Sequence, residues 1–105
     1  MSTKATLGRV VKTTKMPDLS KRFSPEQLAK AITAKRTGLK LSLVDVSDAL
    51  ALSKPTLIKI EKGDTSVKLV NLLKVMEYLG LSFNIIADEP TQNSLVTRSS
   101  EEEWF

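Results

Sequence analysis

Residues 42–63 read SLVDVSDALALSKPTLIKIEKG. Ser42 is a plausible helix cap, Val46 and Leu50 recur at i and i+4, and the periodicity breaks at Ala51 and Leu52 before Ser53 offers a second cap. Leu57 and Ile60 then mark the buried side of a second short helix. The turn between the two is too tight for an αα-hairpin, so the helices are expected to cross at roughly 90 to 120°. Such a crossing needs small side chains where the backbones approach, and Ser47 and Ala51 are small. The stretch is therefore expected to be a helix-turn-helix that presents its second helix to DNA.

At about 100° per residue, Leu57 and Ile60 point to one side of that helix while Pro55, Ile58, Lys59 and Lys62 point to the other, with Ser53 and Lys54 at its start. In a major groove Lys54 would meet guanine O6 and N7, Thr56 a phosphate or a base edge, and Ile58 a thymine methyl. Lys59 and Lys62 suit phosphates. Ser42, at the start of the first motif helix, completes the candidate DNA-binding set. The competing reading is a solvated lysine face on an ordinary bundle.

Outward from the motif, Phe23-Ser24-Pro25-Glu26-Gln27 combines a serine cap, a proline at the first helical position and a glutamine three residues after the cap. This predicts a capping box and a helix start. Leu28, Ala31, Ile32 and Lys35 follow at helical spacing until Gly38 stops the helix, with the lysine stem lying along apolar surface. Beyond the loop Gly63-Asp64-Thr65-Ser66, an apolar stripe of Leu69, Leu72, Leu73, Met76 and Leu79 ends at Gly80. Four helices around one core are expected.

Leu81 to Asp88 alternate and carry β-branched residues, which predicts a strand ended by Pro90. A lone strand in a helical chain needs a partner. The same strand of a second copy across a two-fold axis is favoured, with Leu81, Phe83 and Ile85 as dimerisation residues, because two-fold symmetry also suits a palindromic operator. Pairing with Thr6 to Val11 is the competing arrangement.

The chain has 105 residues and 41% hydrophobic content, enough for one modest core. It contains no cysteine and no histidine, which removes a disulfide framework, a thiolate metal site, and the commonest general base and metal ligand. No carboxylate pair, phosphate loop or nucleophile elbow is present either, so a binding protein without cofactor or metal is expected rather than an enzyme. No apolar run approaches the roughly 18 residues of a membrane span, and the N-terminus lacks the apolar core of a secretory signal. A cytoplasmic chain is expected.

Charge divides the chain into three. Residues 1–23 hold six basic side chains against Asp18, a net +5; residues 24–89 are nearly neutral at +1; residues 90–105 set Arg98 against Glu101, Glu102 and Glu103, a net −2. The expected organisation is a flexible basic arm over 1–22, a DNA-binding and dimerisation domain over 23–89, and a flexible acidic tail over 90–105 ending in Trp104-Phe105. The alternative for the arm is a merely solubilising terminus. Trp104, the only tryptophan, stands in a tail unable to bury much by itself, which suits an anchor for a partner.

The body resembles the Xre-type helix-turn-helix family of bacterial and phage repressors, and within it looks like HipB-type antitoxins. The resemblance rests on Ser24-Pro25-Glu26-Gln27-Leu28-Ala29, on Thr56-Leu57-Ile58-Lys59-Ile60-Glu61, on Leu81-Ser82-Phe83 and on the glutamate-rich end finishing in Trp104-Phe105. It implies an all-α, four- to five-helix, lambda-repressor-like domain with a short C-terminal strand pairing across a dimer. It further implies a homodimer that binds operator DNA, represses its own operon and restrains a HipA-type serine/threonine kinase toxin, contacted here by Trp104, Phe105, Glu102 and Glu103. A stand-alone repressor without a toxin is the alternative. Leu43 stands where the family often has a phosphate-contacting glutamine, and Ile58 and Pro55 also depart from its pattern, which bears on the operator rather than the fold.

Overall fold

Serine hydroxyls set three of the four helix starts in the computed structural model, which describes residues 11–88. Helix α1 spans Pro25–Gly38, α2 Leu43–Leu50, α3 Lys54–Glu61 and α4 Leu69–Leu79. Ser24, Ser42 and Ser53 each accept the backbone N–H three residues on, at 3.1, 3.1 and 3.2 Å. These bonds satisfy donors that a helix cannot satisfy itself. The expected capping box at Ser24 is only half formed, because the Gln27 amide donates instead to the carbonyls of Asp18 and Lys21. The complete box is at Ser42, whose N–H donates to the Asp45 carboxylate at 2.7 Å.

All four helices end the same way. A residue with positive φ follows the last turn, its N–H bonding back three residues and the next N–H five: Lys40 and Leu41, Ala51 and Leu52, Gly63 and Asp64, Gly80 and Leu81. This is the Schellman arrangement. Gly38 closes α1, as expected, but the left-handed residue is Lys40, at φ 62. In the motif turn it is Ala51, at φ 54. Leu41, Leu52 and Leu81, each directly after a left-handed residue, return the chain to the core.

That core is built from all four helices: Ile32 from α1, Val46 from α2, Leu57 and Ile60 from α3, and Val75, Met76 and Leu79 from α4. The α4 stripe needs correction. Leu69 and Leu73 are 61% and 45% exposed, whereas Val75 is fully buried. The buried face is centred on Leu72, Val75, Met76 and Leu79, so Leu73 falls on its flank and Leu69 precedes the stretch that faces α1 and α2.

Among the described residues one charged pair lies inside. Arg36 of α1 donates from Nε to Glu61 Oε2 at 2.6 Å and from an Nη to Glu61 Oε1 at 2.9 Å, with both side chains about 10% exposed. Its other Nη donates to the Leu41 carbonyl at 2.8 Å, and the Thr33 hydroxyl donates to Glu61 at 2.9 Å. The network ties the end of α3 to α1 and to the turn entering α2.

Residues 81–88 carry neither helix nor strand. Among the described residues no neighbouring strand supplies a ladder, and residues 6–10 of the competing partner lie outside them. Phe83 instead meets Phe23 edge to face, with ring centroids 5.9 Å apart, and Arg22 pairs with Asp88 at 3.1 Å on the surface. Trp104, Phe105 and the glutamates before them also lie outside the described residues.

Removing one partner of the internal pair strands a charge. Arg36→Met or Glu61→Leu alone is expected to lower the unfolding free energy by roughly 3–5 kcal/mol, and the two together to recover most of the loss. Urea denaturation of the four proteins checks this; single substitutions that each cost under about 1 kcal/mol would show that the network is not integral to the fold.

Candidate nucleic-acid interface

Helix α3 is fixed from below by the buried Leu57 and Ile60 and by Glu61, which pairs with Arg36 inside. Ser53, Lys54, Pro55, Lys59 and Lys62 are exposed, while Thr56 and Ile58 are half-buried. Pro55, Lys59 and Lys62 fall on one face at spacings of four and three, with Lys54 and Ile58 beside them. The structure thus brings the α3 candidates to one surface.

The two serines are also structural. Ser53 Oγ accepts the Thr56 N–H and lies 2.8 Å from Thr56 Oγ1, so the two hydroxyls share one bond and keep one hydrogen for an outside acceptor. Ser42 Oγ accepts the Asp45 N–H at the start of α2, half-buried but at the rim of the motif. Pro55 sits in the first turn of α3, where its missing N–H interrupts no helical bond.

Asp64, in the loop after α3, has its carboxyl held below the ordinary range by the Ser66 hydroxyl at 2.6 Å, then by the Ser66 N–H and, less strongly, by Lys59. It therefore stays ionised, and its contribution to stability is present above its unfolded pKa and lost as pH falls through the folded value. Asp18 is shifted the same way by Ser20.

Two features escaped the sequence reading. Lys40 stands exposed in the turn before Ser42, held there by its left-handed backbone; the signal was Leu41, an apolar residue that returns the chain to the core after the turn. The Arg36–Glu61 pair was the other, and nothing in either residue's local sequence points to the other helix.

A second surface is apolar. Leu69, Val70 and Leu73 of α4 are exposed, as are Phe23, Phe83, Ile85 and Ile86. Leu28, Val67, Leu69 and Leu72 line a hollow of about 270 Å³ floored by Ile60. Of the expected dimerisation residues, Leu81 packs on the core, Phe83 leans on Phe23, and Ile85 is 95% exposed.

The family model described as Helix-turn-helix (HTH_3) matches residues 32–86, a segment that contains α2, α3 and α4. No curated protein sequence matches the chain. Among solved structures, the chain is similar to one titled "MDT Protein", to one titled "HipB-O4 20mer complex" and to one titled "Structure of HipA-HipB-O2-O3 complex". Each has a TM-score of 0.58 and 22% identity over 66% of this chain and 97% of the other. At that identity the likeness concerns the fold.

Proposed function

Because the chain belongs to the HTH_3 family of Xre-type helix-turn-helix proteins, we propose that it is the DNA-binding antitoxin of a HipBA-like toxin-antitoxin system, a cytoplasmic repressor of its own operon. The observation that carries the DNA-binding part of this reading is the outward face of α3, where Pro55, Lys59 and Lys62 stand opposite the buried Leu57 and Ile60, with Lys54 and Ile58 beside them. Lys54 sits at the helix start, which in a helix-turn-helix reaches base edges. Lys59 and Lys62 sit further along, where phosphates pass.

The chain acts as a homodimer in this reading. Exposed Leu69, Val70 and Leu73, together with Phe83, Ile85 and Ile86, form an apolar surface that a second copy would cover, and residues 81–88 would gain their ladder from the same segment of that copy. Two recognition helices then face half-sites about one helical turn apart. The kinase partner is supported by the tail that resembles HipB-type proteins, and by a similar structure whose title places HipB with HipA. The acidic stretch Glu101 to Glu103 steers Trp104 and Phe105 to a basic surface of the toxin.

Lys54→Ala is expected to cost roughly 1–3 kcal/mol at one base position and to relax preference there, whereas Lys59→Ala or Lys62→Ala lowers the salt slope by about one unit for every sequence. Titration of duplex DNA from the upstream promoter at several salt concentrations separates them; unchanged base preferences for Lys54→Ala would refute the orientation of α3.

Phe83→Asp or Ile85→Asp is expected to give monomers, because a charge enters the ladder and its covered face. Sedimentation measures this, and a wild-type chain that is monomeric at micromolar concentration would exclude the dimer.

Trp104→Ala is expected to weaken kinase binding while leaving DNA binding intact, and Trp104 fluorescence to shift to the blue when the kinase is added. An unshifted spectrum in a demonstrated complex would remove the anchor, and the absence of any co-purifying kinase would favour a stand-alone repressor.

A further inference from the structure

The basic N-terminal segment enters the described structure on a defined path. The Thr14 N–H donates to Thr37 Oγ1 at 2.9 Å, near the end of α1, and the Thr37 hydroxyl donates on to the Thr33 carbonyl at 2.8 Å. At the other end of α1, the Gln27 amide donates to the Asp18 and Lys21 carbonyls at 3.1 and 3.0 Å. Residues 14–21 therefore run antiparallel to α1. Thr37, which Thr14 meets, stands directly before the turn at residues 38–41 that leads into Ser42 and α2.

Lys12 and Lys15 are exposed on this path, and Lys40 is exposed in the turn itself. The ion pairs among the described residues engage Arg22 with Asp88 and Arg36 with Glu61, not these lysines. In a docked helix-turn-helix the first helix crosses the sugar-phosphate backbone. Here that helix is α2, and its cap at Ser42 follows directly on the Lys40 turn.

We propose that Lys12 and Lys15, with Lys40, form a second contact with the duplex: a phosphate clamp beside α2 that reads no sequence and extends the footprint beyond α3. The proposal rests on the DNA-binding reading of α3. Thr37 is the positioning residue, since its hydroxyl holds the extended segment's Thr14, which lies between the two lysines.

Each phosphate contact contributes about 0.9 to the slope of log affinity against log salt. The double variant Lys12→Ala with Lys15→Ala is expected to lower that slope by about 1.8. Between 50 and 200 mM salt the wild-type protein should then lose roughly twelvefold more affinity than the variant. Because the clamp reads phosphates, the promoter duplex and an unrelated duplex of equal length should show the same change. A charge-matched control, Lys30→Ala with Lys74→Ala, alters exposed lysines on α1 and α4 and should leave the slope close to wild type.

An equal fall in both double variants would mean that net charge alone is at work and would overturn the clamp. So would an unchanged slope in Lys12→Ala with Lys15→Ala while Lys59→Ala and Lys62→Ala still lower it; in that case the α3 reading survives alone. A wild-type protein that binds neither duplex at 50 mM salt would overturn both readings.

Discussion

The Arg36–Glu61 pair governs the geometry on which everything else depends. An arginine taken out of water is tolerable only when nearly every donor is used, and here Nε and both Nη groups have acceptors on two separate pieces of chain. Glu61 is the last residue of α3, and the Leu41 carbonyl lies one residue before the cap of α2. A single guanidinium thus sets the distance between the start of the first motif helix and the end of the second. Apolar side chains alone would hold these helices together less specifically, because hydrophobic burial has no preferred direction.

The ends of the helices do the rest. In a chain with helices of eight residues, isolated helical stability is marginal, so caps and tertiary packing must supply what length does not. Serine caps begin α2 and α3, and left-handed residues end them, with Ala51 at the junction. Alanine in that conformation carries a strain of about 1–2 kcal/mol that glycine would avoid. The return of Leu52 to the core offsets it, as does the bond from the Leu52 N–H to the Ser47 carbonyl at 3.0 Å. Ser47 itself is buried with an unpartnered hydroxyl, a residue chosen by size at a close crossing rather than by its polarity.

Local chemistry explains what was readable in the sequence. Ser24, Ser42 and Ser53 act within three residues of themselves, and Leu57 and Ile60 follow from the helical period, so helix starts and the buried side of α3 could be read directly. The outward face of α3 followed by subtraction. What could not be read depends on partners distant in sequence. Arg36 and Glu61 are 25 residues apart, and Thr14 and Thr37 are 23 apart. Leu69 and Leu73 looked like core because periodicity defines a stripe but not which part of it meets a neighbour.

Net charge illustrates the same limit. The chain's formal +4 says that anionic partners are favoured but not where they sit. Folding assigns the basic residues different tasks: Arg36 is neutralised inside by Glu61, Arg22 is paired on the surface with Asp88, and Lys35 lies half-buried against the Gly80 turn. Lys54, Lys59 and Lys62 are left on α3, Lys40 in the turn before α2, and Lys12 and Lys15 on the segment anchored by Thr37. The body from 24 to 89 is close to neutral in total, yet Lys40, Lys54, Lys59 and Lys62 stand exposed on and beside the helix-turn-helix, while Lys30, Lys68 and Lys74 are exposed on α1 and at α4. Affinity for a phosphate backbone therefore arises from which charges folding leaves unpaired, and that selection begins with the arginine that folding removes from the surface.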